Sequence, residues 1–244
     1  MRAVVLAGGY ATRLYPLTRD RPKHLLEVGG RPVLELLLER LPLDRLEGVY
    51  IVTNAKVAER FREWAESYPA DVVVLDDGTT SEEDRLGAIG DLQLAIDSEA
   101  LDEDLIVAAG DSIFTARLDD FARFGQERDA AAIAVYDVGD LEAMKRLSSI
   151  GVDEDSRLVT FEEKPEQPAS TLAGVALYFY PRSILPLVGQ YLAEGNNPDQ
   201  PGRLVEWLYT RTPVYAWRVP GRWFDIGTPD TLAEAEALFE SDSA

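Results

Sequence analysis

The stretch that decides the fold is AVVLAGGYATR, residues 3–13. Its first four residues form an apolar run that is typical of a short buried strand, and the run is followed by Gly8 and Gly9. Glycine has no Cβ atom, so backbone N–H groups in such a loop approach a ligand closely and together bind an anion. Arg13 adds a guanidinium fork that matches phosphate oxygens, and Lys23 adds a compact positive charge. The stretch therefore predicts a strand that ends in a triphosphate-binding loop.

This loop differs from the two common phosphate-binding motifs. A Walker loop requires Gly-x4-Gly-Lys-Ser/Thr, and no lysine follows a second glycine at that spacing here. A dinucleotide fingerprint requires Gly-x-Gly-x-x-Gly, which residues 8–13 lack.

Residues 6–23 instead resemble the LAGG-x-[GA]-TR…PK signature of the sugar-1-phosphate nucleotidylyltransferases. The resemblance covers the chain from residue 1 to about 235. It implies that Arg13 and Lys23 act in catalysis. It also implies that the following residues contact the nucleotide: Leu6, Ala7, Gly8 and Gly9.

Composition excludes several classes of protein. The chain has 244 residues, of which 46% are hydrophobic, so it is long and apolar enough to fold around a sizeable core. The absence of cysteine excludes disulfides and thiolate metal sites. No run approaches the ~20 apolar residues that span a bilayer, and the N-terminal apolar run is too short for a signal peptide. We therefore expect a cytoplasmic protein without a membrane partner.

The charge is strongly negative, with 44 acidic against 24 basic residues and a formal net charge of −20. The acids are spread along the whole chain, which indicates a solvated acidic surface and disfavours a nucleic-acid partner. Lysine is rare. A surface of this kind suits a high-salt cytoplasm, where repulsion is screened, so we expect a halophilic archaeal source. The lysines occupy four positions: Lys23, Lys56, Lys145 and Lys164.

Apolar runs and amphipathic stretches alternate through the first half. Strands are predicted at 2–7, 48–53, 71–75, 104–109 and 130–138, and helices at 32–41, 56–68, 85–97 and 118–128. This alternation predicts an α/β fold: a Rossmann-like, mainly parallel twisted sheet with helices on both faces. Ligands in such folds bind at the carboxyl ends of the strands.

The second half has longer, turn-rich connections. Strands are predicted at 149–152, 157–162, 171–180 and 213–219, and helices at 182–194, 202–211 and 229–240. We expect a single domain over residues 1–244. Its predicted parts are a nucleotide-binding part (1–139), a smaller mixed-strand sugar-phosphate-binding part (140–228) and a C-terminal helix (229–244).

Two aspartates follow apolar segments at candidate strand ends. Asp111 follows Gly110 after the run 105–109, and Asp225 lies in WFDIGTP, residues 223–229. Carboxylates beside phosphate oxygens suit Mg²⁺. The family's GDN or GDD and W-x-D-[IV]-G-T motifs imply that Asp111 and Asp225 hold Mg²⁺ and that Asp111 also contacts the nucleotide. The chain departs from the first motif at Ser112.

FEEKP, residues 161–165, resembles the family's EEKP strand. The resemblance implies that Glu163 binds sugar hydroxyls, that Lys164 binds the sugar phosphate and that Gly151 lets the sugar lie on the backbone. The chain departs from the family pattern at Val175 and Ala176, where a polar residue and a glycine are usual, so we expect a polar contact to the sugar to be missing.

RLGA, residues 85–88, resembles the family's base-binding turn and implies that the Gly87 backbone meets the nucleobase. The usual Gln or Glu that reads a pyrimidine is not recognisable, so the base stays open. The lone histidine, His24, is interpreted as a loop or packing residue.

Together these motifs predict an enzyme that transfers a nucleotidyl group from a triphosphate, UTP or dTTP, to a sugar-1-phosphate resembling glucose-1-phosphate. Two alternatives remain open at this stage. One is a cytidylyltransferase acting on phosphocholine or another alcohol phosphate, and the other is a non-catalytic regulatory homologue that binds nucleotide. A monomer or small homo-oligomer is expected.

Overall fold

The first strand of the chain lies inside a nine-stranded sheet in the computed structural model, which describes residues 1–19 and 21–242. The strands are β1 (Arg2–Leu6), β2 (Glu27–Val28), β3 (Arg31–Pro32), β4 (Val49–Thr53), β5 (Val72–Asp76), β6 (Leu105–Ala109), β7 (Ser112–Phe114), β8 (Ala131–Asp137), β9 (Ser148–Val152), β10 (Leu158–Glu163), β11 (Leu172–Tyr180), β12 (Val214–Arg218) and β13 (Trp223–Asp225). The helices are α1 (Val33–Leu38), α2 (Ala58–Ala65), α3 (Ala88–Ser98), α4 (Asp119–Arg128), α5 (Leu141–Met144), α6 (Leu185–Ala193), α7 (Gly202–Leu208) and α8 (Pro229–Asp242).

The sheet combines a parallel half with an antiparallel extension. Strands β5, β4, β1 and β6 are parallel neighbours, and β11 pairs with β6 in the antiparallel direction. On its other side β11 pairs with β8, which pairs in parallel with β12. The expected mainly parallel Rossmann-like sheet is confirmed, and it takes strands from both sides of residue 139.

Strand β11 opens a gap in the sheet. β8 pairs with both halves of β11, so β6 and β9 share the opposite edge. β6 pairs with residues 177–180 and β9 with residues 173–174, which leaves residues 175–176 unpaired on that edge. The sheet therefore parts beside the carboxyl end of β6, where Asp111 follows.

Helices cover both faces because the strand side chains alternate between two cores. On β1, Val4 and Leu6 face a core formed with α3, α6 and α7. Ala3 and Val5 face a second core formed with α1, α2 and α4. A smaller third cluster joins α1 and the β2–β3 hairpin to β7, β13 and α8.

Several predicted helices are shorter in the structure. The helix predicted at 85–97 begins at Ala88, because Gly87 has φ of +80° and the N–H groups of Ala88 and Ile89 donate to the carbonyls of Asp199 and Pro198. The helix predicted at 32–41 spans Val33–Leu38, and the one predicted at 182–194 begins as a 3₁₀ turn before α6. Of the predicted C-terminal helix, residues 243–244 lie outside the described residues. Within the described ranges, no helix combines the length and apolar character that crossing a membrane requires.

Candidate active site

The glycine loop after β1 is held by the end of the neighbouring strand β4. The Ala7 N–H donates to the Val52 carbonyl at 2.8 Å, and the Asn54 side-chain amide donates to the Gly8 carbonyl at 2.9 Å. These bonds fix the loop from one side while Gly9 stays exposed on the other. The predicted phosphate loop is thus a backbone surface anchored at the carboxyl edge of the sheet.

Two cavities meet at this edge. The loop cavity, of about 160 Å³, lies beneath the glycine loop, and its lining includes Leu6, Gly8, Gly9, Lys23, Gly87 and Asp91. The gap cavity, of about 200 Å³, lies where the sheet parts, and its lining includes Arg146, Ser148, Glu163, Gly174, Gln200 and Asp225. Asp111, Ala109 and Pro201 line both cavities. Two adjoining cavities with a carboxylate between them suit a reaction that joins two small substrates.

The two predicted metal ligands come together through a pairing that sequence analysis missed. The three-residue strands β7 and β13 pair in the antiparallel direction and set Asp225 opposite Ser112. The Ile226 N–H donates to the Asp111 carbonyl at 3.0 Å. Asp111 and Asp225 are therefore neighbours although 113 residues lie between them (225 − 111 − 1).

Charge at this junction is closely balanced. The ammonium group of Lys23 contacts the Asp111 carboxylate. Burial alone would lower the pKa of Lys23, but the negative charges of Asp111 and Asp225 outweigh it and raise that pKa. Burial alone would raise the pKa of Asp111, but the Lys23 ammonium outweighs it and holds that pKa below its usual value. Asp225 is exposed as a whole residue, yet local desolvation of its carboxyl group and the Asp111 charge raise the pKa of Asp225 to about 7.

These residues fit a magnesium ion shared with substrate phosphates. Mg²⁺ is commonly bound through one or two carboxylates together with phosphate oxygens and waters. Within residues 1–19 and 21–242, no three His, Cys, Asp or Glu side chains converge as a metal-binding group. The carboxylate pair of Asp111 and Asp225 matches the substrate-dependent arrangement rather than an all-protein cage.

His24 has a packing role in the structure. It is only 2% exposed, its ring lies 5.7 Å from that of Phe61, and its Cδ2 lies 2.9 Å from the position that a Cβ on Gly110 would take. Burial and the neighbouring charge of Lys23 lower the pKa of His24 to about 3, so the ring is neutral.

The three residues that were predicted to contact the sugar phosphate differ in their positions relative to the gap cavity. Glu163 lines the gap cavity and accepts a hydrogen bond from the Ser148 hydroxyl. Lys164 is exposed, with a left-handed backbone at φ of 51°, and lines neither cavity. Gly151 also lines neither cavity, and a Cβ there would collide with the Thr160 hydroxyl.

Arg13 lies near the charge cluster but outside the cavity linings. It belongs to a short 3₁₀ turn, Thr12–Leu14, and is exposed. Its positive charge nevertheless lowers the pKa of both Lys23 and Asp225, which places it close to the junction of the two cavities.

The departure at residues 175–176 has a structural explanation. Val175 is fully buried in the core on the α1, α2 and α4 side, so an apolar residue suits that position. Ala176 lines the gap cavity and would meet a ligand there with a methyl group.

Several site residues were missed by the sequence analysis. Arg146 and Gln200 line the gap cavity, and Asp77, Asp91 and Asp199 line the loop cavity. Arg85 also lines the loop cavity, and it belongs to the predicted RLGA turn, of which only Gly87 was given a role. Asp91 had a detectable signal, because it lies one helical turn before the apolar residue Ala95, and both are buried. Arg146 carried none, because it lies between the strands predicted at 130–138 and 149–152 and belongs to no predicted element or motif.

Comparison with known proteins agrees with this geometry. The UTP–glucose-1-phosphate uridylyltransferase AglF of Haloferax volcanii is 26% identical over 244 residues, which cover 100% of this chain and 98% of that protein. The bifunctional protein GlmU of Methanocaldococcus jannaschii is 25% identical over 235 residues, which cover 96% of this chain and only 53% of that protein. The chain thus spans about half the length of GlmU.

Solved structures and a family model complete the comparison. A UDP-glucose pyrophosphorylase complexed with UDP-glucose superposes with a TM-score of 0.84 at 18% identity, covering 99% of this chain and 98% of that one, which shows a shared fold. The model of the nucleotidyl transferases matches residues 2–242 and confirms the identification made from residues 6–23. The chain therefore belongs to the nucleotidyl transferase family.

Proposed function

We propose that this chain transfers a nucleotidyl group from a nucleoside triphosphate to a sugar-1-phosphate, giving a nucleotide sugar and pyrophosphate. The observation that carries the proposal is the meeting of the two cavities at Asp111, beside Asp225 and Lys23. The loop cavity offers glycine backbone and Lys23 for a triphosphate, and the gap cavity offers Glu163 and Gln200 for sugar hydroxyls.

The chemistry needs little from the protein beyond position and charge. A phosphate monoester has a second pKa of about 6, so the attacking sugar phosphate oxygen is already largely ionised at neutral pH. No general base is required, in keeping with a neutral, buried His24. Catalysis then rests on alignment of the attacking oxygen with the α-phosphorus and on neutralisation of charge.

Each charged residue has a proposed role in that scheme. Asp111 and Asp225 would hold Mg²⁺, which supplies positive charge to the phosphate oxygens when it is bound. Lys23 neutralises the α-phosphate oxygens, and Arg13 steadies the departing pyrophosphate. Lys164 is proposed to bind the sugar phosphate, and its exposed side chain would have to turn inward to do so.

For the substrates, we propose UTP or dTTP and a phosphate resembling glucose-1-phosphate. The support is the likeness to AglF, which is named for UTP and glucose-1-phosphate and aligns over its full length. A cytoplasmic setting is proposed as well, because nucleoside triphosphates are cytoplasmic metabolites.

Pyrophosphate release tests the proposal. ATP, GTP, CTP, UTP and dTTP are each incubated with glucose-1-phosphate, galactose-1-phosphate, N-acetylglucosamine-1-phosphate or phosphocholine, with Mg²⁺ at high KCl. The expected result is release that requires both a sugar-1-phosphate and UTP or dTTP. The matched controls are Asp111→Asn, expected to be inactive, and Asp97→Asn, an exposed aspartate on α3 expected to behave as the unaltered chain. Two outcomes would contradict the proposal. One is pyrophosphate release with phosphocholine but with none of the sugar-1-phosphates, and the other is no release with any pair of substrates.

A further inference from the structure

A buried carboxyl group lies directly beneath the glycine loop. Asp91 on α3 is 4% exposed. A Cβ atom added to Gly8 would come within 2.5 Å of Asp91 Oδ2 and 3.3 Å of Asp77 Oδ2. Both carboxyl groups therefore converge on the underside of Gly8, in the lining of the loop cavity. Nothing in the proposed chemistry uses either of them.

Asp91 has no ordinary partner for a negative charge. Its Oδ1 atom is buried without a hydrogen bond among the residues that the structure describes, and no described cation forms an ion pair with it. Leaving an ionised carboxylate buried and unpaired is costly, so such a group takes up a proton instead.

Asp77 is placed to share that proton. Its Oδ1 accepts hydrogen bonds of 2.7 Å from both the backbone N–H and the hydroxyl of Thr79, and that hydroxyl also contacts Tyr10 Oη at 3.0 Å. Its Oδ2 lies on the same side of Gly8 as Asp91 Oδ2. Asp77 and, more weakly, Tyr10 are the titratable groups whose charges couple to Asp91. Burial and the charge of Asp77 raise the pKa of Asp91 to about 7.

We propose that Asp91 is a positioning residue for the triphosphate: in its neutral form it donates a hydrogen bond to Asp77 and supports Gly8 from below. The inference rests on the proposed function, since it gives the loop cavity a nucleoside triphosphate as its ligand. Ionised Asp91 would set two adjacent negative charges under the loop that receives a polyanion. Triphosphate binding therefore favours the protonated carboxyl.

The sign of the pH dependence follows from this preference. A ligand that binds the protonated form better loses affinity as the pH rises through the pKa of the free protein. Affinity for the triphosphate should thus be highest below pH 7 and fall above it, by a limiting tenfold per pH unit for one proton. The KM for the triphosphate should show this pH dependence, and the KM for the sugar phosphate should not.

Calorimetric titration with Mg·UTP from pH 6 to pH 9 tests the proposal without requiring turnover. Three proteins are compared: the unaltered chain, Asp91→Asn and the control Asp97→Asn. Asparagine keeps the shape and the donor of a protonated Asp91 but cannot ionise. We expect the Kd of the unaltered chain and of Asp97→Asn to rise on the order of tenfold between pH 7 and pH 8.5, while Asp91→Asn stays nearly constant. Any ionisation of the nucleotide itself cancels in this comparison.

Asp91→Ala supplies a second variant, because it removes the hydrogen bond to Asp77 as well as the charge. It should bind Mg·UTP independently of pH but more weakly than Asp91→Asn, with the fold of both checked by circular dichroism. Parallel pH profiles for Asp91→Asn and the unaltered chain would overturn the role of Asp91 while leaving the transferase function intact. A pH-dependent affinity lost in Asp91→Asn, in a protein that releases no pyrophosphate, would instead uphold the Asp91 proposal and overturn the transfer reaction.

Discussion

The backbone N–H of Ile226 donates a hydrogen bond of 3.0 Å to the carbonyl oxygen of Asp111. This bond extends the short β7–β13 pairing, in which Asp225 lies opposite Ser112. The backbone thus holds the two carboxylates in register, independently of their charges. Replacing either side chain should leave that register unchanged.

Asp111→Asn and Asp225→Asn should each abolish turnover with the fold intact. Each change removes one negative charge from the proposed magnesium site at nearly constant side-chain size. The expected loss in kcat is on the order of 10²-fold or more, as when electrostatic stabilisation of phosphoryl transfer is removed. Steady-state kinetics in saturating Mg²⁺ measures it, with circular dichroism as the check on folding. A near-normal kcat for either variant would show that the aspartate replaced in it does not act in the proposed magnesium site.

The sequence predicted the two aspartates as residues but not the contact between them. β7 and β13 have three residues each, too few to show the alternation that marks a strand, and their pairing spans more than 100 residues. By contrast, β1, β4 and β6 were predictable because strands buried on both faces read as continuous apolar runs.

Contacts between residues that are apart in the sequence also explain the other differences. The start of α3 at Ala88 is set by carbonyls from residues 198–199, which no local pattern reveals. Gly151 matched a motif, yet its need for glycine comes from the Thr160 hydroxyl across the β9–β10 pair. Arg146 reaches the gap cavity only because β9 lies on the same edge of β11 as β6.

Arg146→Ala and Lys164→Ala compare two candidate cations for the sugar phosphate. Both side chains are exposed, but Arg146 lines the gap cavity and forms no ion pair within the described part of the chain, whereas Lys164 does not line the cavity. We expect Arg146→Ala to raise the KM for the sugar phosphate about tenfold, a loss of ~1.4 kcal/mol, and Lys164→Ala to raise it less. Both should leave the KM for the triphosphate nearly unchanged.

The matched control for this pair is Lys145→Ala, which removes a cation already paired with Glu142 at 2.8 Å. It should leave both KM values unaltered. If Lys164→Ala has the larger effect, the lysine turns inward on binding and Arg146 does not hold the sugar phosphate.

Gly8→Ala should destabilise the fold, because its Cβ would meet Asp91 Oδ2 at 2.5 Å. Overpacking of this kind typically costs about 1–3 kcal/mol, which urea denaturation measures. Gly9→Ala is the control, since no described atom lies within 4 Å of its Cβ position. Adding Asp91→Ala to Gly8→Ala should recover much of the loss. Equal destabilisation by Gly8→Ala and Gly9→Ala would refute the contact with Asp91.

Asp91→Asn should stabilise the protein, increasingly so as the pH rises. The pKa of Asp91 is about 7 in the folded state and near 3.8 when unfolded, so between these values the folded chain binds the extra proton. Stability contributed by this residue is therefore lost as the pH rises from about 4 to about 7. The asparagine variant avoids that loss. Its gain in free energy of unfolding over the unaltered chain has an upper bound of about 4 kcal/mol at pH 8.

Urea denaturation of Asp91→Asn and of Asp97→Asn at pH 5 and pH 8 separates this effect from general changes in charge. Asp97 lies on the same helix, is exposed and accepts a hydrogen bond from Gln93. For each variant, the free energy of unfolding is compared with that of the unaltered chain. This difference should increase from pH 5 to pH 8 for Asp91→Asn but not for Asp97→Asn. A gain of equal size for both variants would show that the net charge of the protein, rather than the buried carboxyl, is responsible.

Salt should affect stability and substrate binding in opposite directions. The chain carries a net charge of −20, so at low ionic strength its surface repels itself and the folded state loses stability. The Debye length falls from ~10 Å at 0.1 M to ~3 Å at 1 M salt, so molar KCl screens most of this repulsion. The same screening weakens the attraction of Arg13 and Lys23 for a triphosphate. We therefore expect both Tm and the KM for the triphosphate to rise between 0.1 and 2 M KCl.

Sucrose at equal osmolality is the control for the effect of KCl, because it stabilises by exclusion without screening charge. The rise in Tm in KCl should exceed the rise in Tm in sucrose. A Tm that is flat or falls with KCl would exclude adaptation to a high-salt cytoplasm as the origin of the acidic surface.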